Sequence, residues 1–227
     1  MEATCEGGRH ADDQRGYAAA AGTELVRADL TREAIRLARV LRELMPDEPE
    51  ATGLLALMLL TEARRPARTD GGRLVPLAEQ DRSRWDRAVV TEGLELVRAC
   101  LRRDRPGPYQ IQAAITAVHT HAPSVATTDW GQIVALYDLL TAHDPGPVAR
   151  LHRAVAVAEV DGPATALALV NAIELDGYYL LHAVRGDLLR RLGRKHEAAA
   201  AYTEAMNRTG NAAERDHLER LRGGLED

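Results

Sequence analysis

Residues 178–208 read YYLLHAVRGDLLRRLGRKHEAAAAYTEAMNR, and this stretch decides the fold that the sequence predicts. Apolar residues recur at helical spacing in YYLLHAVRGDLLRRL and again in KHEAAAAYTEAMNR. Only a short connection lies between the two segments, and helices joined in this way are usually antiparallel neighbours. The stretch therefore predicts a packed pair of helices.

The same stretch carries the spacing of a helical repeat. Its small residues would let the paired helices approach, and its aromatic ring would fill the space between them. Residues 148–160 and 164–173 form a looser copy, in which Ala154 takes the place of Gly186. We expect tetratricopeptide-like repeats in the C-terminal half, with a non-repeat helical bundle as the alternative. The residues at the repeat offsets are Gly186, Gly193, Ala198, Tyr202 and Ala205.

Helical periodicity extends over most of the remaining chain. A helix is predicted to follow each of Thr31, Ser83 and Thr128, since these side chains can cap a helix N-terminus. A further helix is predicted to follow Asp47 or Glu48, with Pro49 in its first turn. No segment alternates with period two, so the sequence predicts an all-α antiparallel array of about ten helices.

The composition is that of a globular protein with a helical core. Of the 227 residues, 45% are apolar and 28% are charged, while aromatic residues are only 4% and phenylalanine is absent. A core of Leu, Ala, Val and Ile favours close-packed helices. The net charge of −5 argues against direct nucleic-acid binding, because domains that neutralise phosphates are usually basic.

The sequence shows no sign of membrane insertion, secretion or metal binding. It has no signal peptide and no apolar run long enough to span a bilayer, so we expect a cytoplasmic protein. Cys5 and Cys100 lie far apart, which predicts neither a disulfide framework nor a zinc site. Cys100 falls on the apolar face of a predicted helix and is expected to be buried. No metal or cofactor is predicted.

A long charged segment interrupts the helices. Residues 60–86 read LTEARRPARTDGGRLVPLAEQDRSRWD and are here called the arginine loop. Long loops in compact domains are usually functional or disordered, and the apolar residues of this one argue against disorder. Its guanidinium groups could clamp a carboxylate or phosphate, or could pair internally with Asp70, Asp81 and Asp86. The candidate ligand-binding residues in the loop are Arg64, Arg65, Arg68, Asp70, Gln80, Asp81, Arg82 and Trp85.

Polar and aromatic side chains on the following helices form a second candidate group. They could line a pocket in a concave face, or they could be packing residues whose hydroxyls reach the backbone. The members of this group are Tyr109, Gln112, Trp130, Tyr137, Asp138 and Arg153.

Two histidines are candidates for proton transfer. His119 and His121 are two positions apart and so lie on different helix faces, which makes them a poor metal pair. His152 stands on a helix of alanine and valine, where a histidine is typically a satisfied core residue. Burial and a nearby carboxylate could instead tune its pKa for general base catalysis. The sequence contains no specific enzyme motif.

Several motifs together resemble a known family segment. RRPARTDGGRLVPLAEQDRSRWD, RPGPYQIQAAITAVHTHAP, TDWGQIVALYDLL, RAVAVAEVDGP and LDGYYLLHAVRGDLLRRLGR are similar to the C-terminal extension of a group of extracytoplasmic-function RNA polymerase sigma factors. The resemblance runs from about Gly16 to the C-terminus. It implies an all-helical, tetratricopeptide-like domain that follows the promoter-reading regions and modulates the activity of the sigma factor.

The departures from the family are also informative. The sigma-factor regions that bind promoter DNA and core polymerase have no counterpart, so by this resemblance the chain is not expected to act as a sigma factor alone. Asp12, Asp13, Gln14 and Arg15 replace an apolar–acidic lead-in. His152 replaces an asparagine, which exchanges a neutral amide for a titratable group.

The sequence thus predicts one helical domain with two functional alternatives. Residues 1–15 are expected to be flexible, and residues 16–227 to form the domain, divided into 16–105 (with the most arginine-rich part of the loop at 64–82) and 106–227. The first hypothesis is a regulatory module that binds sigma-factor regions, RNA polymerase or a small anionic ligand. The alternative is an enzyme in which His152 or His119 moves a proton beside the arginine loop. The oligomeric state is not predicted.

Overall fold

A computed structural model describes residues 28–225, and the predicted flexible segment 1–15 lies outside this range. Within the described residues the chain forms ten α-helices, which confirms the all-α prediction. The bounds of these helices are α1 Ala28–Leu44, α2 Pro49–Glu62, α3 Arg87–Leu101, α4 Pro108–His121, α5 Trp130–His143, α6 Pro147–Val160, α7 Pro163–Asn171, α8 Tyr179–Arg191, α9 Lys195–Arg208 and α10 Ala212–Gly223.

Each helix packs on the next along the chain, and α2 also packs extensively on α4. The buried side chains form three successive clusters. One joins α1 to α4 around Leu55 and Leu60, a second joins α4, α5 and α6 around Ile133, and the third joins α6 to α10 around Tyr202. The core therefore follows the array from one end to the other, as stacked helix pairs require.

The contact between α8 and α9 has the geometry that the repeat spacing predicts. Ala198 and Ala205 are fully buried on α9, and the ring of Tyr202 lies between them against Gly186 of α8. Gly193 ends the turn between the helices with φ +74°, a conformation that favours glycine. The small residues are therefore present where the two helices come closest.

Three predicted helix starts differ from the structure. Helix α1 begins at Ala28, so Thr31 lies in its first turns as a buried residue rather than as its cap. The side chain of Asp86, not Ser83, accepts hydrogen bonds at the start of α3, and Asp129, not Thr128, caps α5. Each error has the same origin, because several residues near each start can cap a helix and the sequence pattern does not select one.

The arginine loop forms three short 3₁₀ turns and a small hairpin. Strands β1 Thr69–Asp70 and β2 Arg73–Leu74 pair in antiparallel fashion, a feature that the sequence pattern did not predict. In the sequence, the Gly71–Gly72 pair after Asp70 indicates a tight turn, and in the structure these two glycines join the strands with φ +57° and +81°. Strand β2 packs against α10, so the loop reaches from α2 to the other end of the described array.

Candidate functional site

Arg82 joins the arginine loop to the end of α4 by hydrogen bonds. Its Nη1 atom donates to the carbonyl oxygens of His119 and Ala122, at 2.7 and 2.8 Å. The guanidinium also lies over the Trp85 ring, 4.6 Å from the ring centroid, and Trp85 is buried. A cation at the C-terminal carbonyls of a helix is favourable, because these carbonyls carry the negative end of the helix dipole.

The hairpin end of the loop approaches a buried polar cluster on α8 and α10. The charge of Arg68 acts on the Tyr179 hydroxyl, which donates to Glu214 at 2.8 Å. Thr209 donates to the other oxygen of the same carboxylate at 2.5 Å. Burial and the Glu214 carboxylate raise the pKa of Tyr179, so its hydroxyl keeps its proton.

The acidic residues of the loop have mostly local partners. Asp81 accepts from the backbone and hydroxyl of Ser83, and Asp86 caps α3. Asp70 lies 4.0 Å from Arg73 with both side chains largely exposed, a geometry worth little in stability. Gln80 donates to the carbonyl of Val75 at 3.1 Å. These contacts hold the shape of the loop.

Two of the candidate arginines, Arg64 and Arg82, act on His119 through their charge. Burial lowers the pKa of His119 to about 4, and the positive charges of Arg64 and Arg82 add to this effect. Arg65 instead pairs with Glu62 at 2.7 Å. The structure therefore brings Arg64, Arg82 and His119 together, while Arg65 and Arg68 point to other parts of the fold.

His119 and His152 each face an aromatic ring of α5. The rings of His119 and Trp130 have centroids 5.2 Å apart in an edge-to-face arrangement. The rings of Tyr137 and His152 have centroids 6.4 Å apart. Burial lowers the pKa of His152 and raises the pKa of Tyr137 to about 12.

The other members of the predicted aromatic group separate into two places. Asp138 and Arg153 form an ion pair at 2.6 Å across α5 and α6. Tyr109 and Gln112 lie half-buried in the first turns of α4. Nearby, the Glu50 carboxylate of α2 accepts from the Tyr109 and Gln110 backbone N–H groups and thereby caps α4 from a neighbouring helix.

The outer face of α1 is apolar and exposed. Leu30, Leu37 and Leu44 recur every seven residues and are 49%, 52% and 75% exposed. Thr31 and Ala38, each one position further along, are buried. One position is about 100° around a helix, so α1 carries a second apolar face beside the one that packs on α2. We call Leu30, Leu37, Leu41 and Leu44 the α1 stripe.

A cleft of about 360 Å³ lies between α1, α2 and α3, at the ends of α2 and α3 remote from the arginine loop. Its lining includes Arg42, Cys100 and Arg103. Cys100 is buried, as the sequence predicts, and burial raises the pKa of its thiol. In residues 28–225 no cluster of three or more His, Cys, Asp or Glu side chains could hold a metal ion. The helices of that range all lack the length and apolar character needed to cross a bilayer.

The two candidate histidines, His119 and His152, are neutral hydrogen-bonding residues near neutral pH. With a pKa of about 4, His119 is uncharged and weakly basic at pH 7. A general base works best when its pKa is close to the operating pH. His119 and His152 can therefore donate or accept hydrogen bonds, but no contact in the described residues prepares either one for proton transfer.

Two sequence comparisons find proteins that are similar to this chain. Residues 14–101 match a family of unknown function (DUF6596). An uncharacterized protein of Rhizobium meliloti (strain 1021) is 47% identical over 206 residues, which cover 89% of this chain and 49% of that protein. The chain thus spans about half the length of this relative.

A thermophilic TPR protein of Thermus thermophilus has a similar fold. Its crystal structure matches with a TM-score of 0.58 at 16% identity, covering 86% of this chain and 90% of that chain. At this identity the likeness concerns the fold alone. The chain is a helical, tetratricopeptide-like repeat domain.

Sequence reasoning did not find three residues that organise the site. Glu50 caps α4, while Tyr179 and Glu214 join α8 to α10 near the arginine loop. The sequence shows Tyr179 at the start of a predicted helix, but the hydrogen-bond acceptor of its hydroxyl, Glu214, is 35 residues away. A single sequence carries no signal that connects such positions.

Proposed function

We propose that this chain is a protein-interaction module that modulates transcription initiation, as the repeat-containing extension of an extracytoplasmic-function sigma factor does. The observation that carries the proposal is the α1 stripe. The ordered motifs quoted above support the sigma-factor assignment, since they cover nearly the whole chain.

The α1 stripe lies on the first helix in the part of the chain that the structure describes. Terminal repeats commonly present a polar outer face, which keeps the array soluble. Here Leu37 and Leu44 are more than half exposed. Burying one leucine side chain stabilises a complex by roughly 1.5–3 kcal/mol before the costs of association, so a stripe of leucines is a favourable docking surface.

The proposed partner is the promoter- and polymerase-binding part of a sigma factor. In the family that the sequence resembles, the repeat domain follows those regions, so the α1 side of the array would face them. The Rhizobium meliloti relative is long enough to contain such regions, because about half of that protein has no counterpart in this chain. Contact through α1 would couple the repeat domain to the parts that read DNA.

The test is a binding measurement with separate polypeptides. The part of the Rhizobium meliloti relative that this chain does not match is immobilised, and the full chain is titrated over it by interferometry. We expect saturable binding that weakens by about tenfold or more, roughly 1.4 kcal/mol, when Leu37 and Leu44 are both changed to glutamate. Adding core RNA polymerase then tests whether the complex alters transcript yield.

Leu101→Glu is the matched control. Leu101 is also a helical leucine, at the end of α3, and is 67% exposed, but it lies outside the α1 stripe. This variant should bind as the parent chain does. Absence of binding to both the sigma-factor part and RNA polymerase would refute the proposal, and so would equal loss of binding in the Leu101 variant.

A further inference from the structure

Two imidazole–aromatic pairs lie on one face of α5. Trp130 and Tyr137 are seven residues apart, and Val134 lies between them on the same face. All three are partly buried against the central core cluster. His119 meets the first ring from α4, and His152 meets the second from α6. Seven residues of helix span about 10 Å, so the two pairs mark the ends of a short strip, here called the α5 strip.

The polar groups of the α5 strip have spare hydrogen-bonding capacity. Neither the Tyr137 hydroxyl nor the His152 ring has a hydrogen-bond partner among residues 28–225, although both residues are half-buried. At the other end, His119 Nδ1 and Arg82 Nη2 are buried without a partner in the same range. Buried polar groups are normally satisfied, so an unpartnered one calls for an explanation such as a bound water, an ion or a functional role.

The two ends of the α5 strip differ in charge. Two guanidinium groups, those of Arg64 and Arg82, act on His119. At the other end, burial lowers the pKa of His152, and the adjacent Asp138 and Arg153 form an ion pair whose charges balance. The strip therefore combines a positive end, a neutral polar end and an aromatic floor between them.

We propose that the α5 strip binds a small organic anion with a flat apolar body. The carboxylate, sulfonate or phosphate of such a ligand would lie toward Arg82, and its ring system would cover Val134 between Trp130 and Tyr137. Charge-assisted hydrogen bonds to guanidinium are strong, and aromatic faces favour flat partners. This site is separate from the α1 stripe, so it adds a ligand-binding activity to the proposed docking function.

The test uses 8-anilinonaphthalene-1-sulfonate, a flat aromatic sulfonate, as the probe. It is titrated into the full chain carrying Trp85→Phe, in which Trp130 is the remaining tryptophan. We expect saturable one-to-one binding with quenching of Trp130 fluorescence. The α1 stripe could also bind this dye, so the titration is repeated with Leu37→Glu and Leu44→Glu, which should leave the binding unchanged.

Val134→Glu and Val134→Gln form the discriminating pair, because they have the same shape and differ in charge. The carboxylate should weaken binding of the sulfonate by about tenfold or more, while the amide should keep it within about threefold. Melting curves establish that both variants are folded. Equal affinity in the two variants, or dye binding that leaves Trp130 fluorescence unchanged, would overturn the proposal. Loss of binding in the Leu37 and Leu44 variant would place the dye on α1 and overturn it equally.

Discussion

Gly186 on α8 lies against the ring of Tyr202 on α9. A Cβ atom added at Gly186 would be only 2.6 Å from Cε1 and 2.7 Å from Cδ1 of that ring. Tyr202 is fully buried, so its ring has little room to move. The close approach of these two helices therefore depends on the absence of a side chain at Gly186.

Gly186→Ala should destabilise the fold. Overpacking a core typically costs about 1–3 kcal/mol, and the better helix propensity of alanine recovers up to about 1 kcal/mol of this. We expect the free energy of unfolding to fall by about 1–2 kcal/mol, measured by urea denaturation followed by circular dichroism. Gly177→Ala is the control, since a Cβ atom there would meet nothing within 4 Å. Equal stability of the two variants would contradict the packing argument.

The contact between Gly186 and Tyr202 was predictable because it follows a repeat spacing within one stretch of sequence. The helices were predictable for a similar reason, since their apolar residues recur with the period of a helix. Hydrogen bonds that join distant helices were not predictable. Glu50 contacts the start of α4, and Glu214 contacts Tyr179, through pairs that only the packed array brings together.

In the arginine loop, too, some features were predictable from the sequence and others were not. Its tight turn at Gly71 and Gly72 was visible in the sequence, because few other residues adopt positive φ. The partners of Arg82 were not visible, since they are backbone carbonyls on α4 rather than the carboxylates that the sequence suggested. Every residue has a carbonyl, so residue types cannot identify such an acceptor.

Arg82→Met should loosen the arginine loop. The variant keeps an apolar stem beside Trp85 but removes two hydrogen bonds to the C-terminal carbonyls of α4. Hydrogen bonds from charged groups contribute about 1.5–3 kcal/mol, so the free energy of unfolding should fall by an amount of this order. Trp85 should become more exposed, which acrylamide quenching of its fluorescence measures in a Trp130→Phe background.

Arg84→Met is the control for Arg82. Arg84 belongs to the same 3₁₀ turn, but its side chain is exposed and makes no hydrogen bond in the described residues. Stability and quenching should match those of the parent chain. If both variants behaved alike, the loop would be held by its backbone and not by Arg82.

His119 should make the protein less stable in mild acid. Its pKa is about 4 in the folded chain, because of burial and the nearby charges of Arg64 and Arg82, against about 6.5 when unfolded. Between these values the unfolded chain binds a proton that the folded chain does not. The contribution of neutral His119 to the free energy of unfolding is thus fully present above pH 6.5. It is lost as the pH falls toward 4, and the loss is on the order of 2–3 kcal/mol.

His119→Gln should flatten this part of the stability profile. Glutamine is neutral throughout, so the free energy of unfolding should depend less on pH between about 4 and 6.5 than in the parent chain. The loss of the ring contact with Trp130 should lower stability at every pH without adding a slope. His121→Gln, at an exposed position two residues away, should retain the parent profile. An unchanged slope in the His119 variant would mean that other groups cause the acid sensitivity.

Glu214→Ala should release the last helix from the array. Glu214 is 9% exposed, and its carboxylate accepts hydrogen bonds from both Tyr179 and Thr209. Removing it takes away the acceptor of two hydroxyl donors, Tyr179 and the buried Thr209, at about 1–3 kcal/mol each. Because β2 of the arginine loop packs on α10, amide hydrogen exchange should accelerate in α10 and in residues 69–74 together. Glu219→Ala, on the exposed face of α10, should change neither region. Faster exchange in α10 alone would show that other contacts hold the hairpin. The arginine loop would then not be coupled to α10.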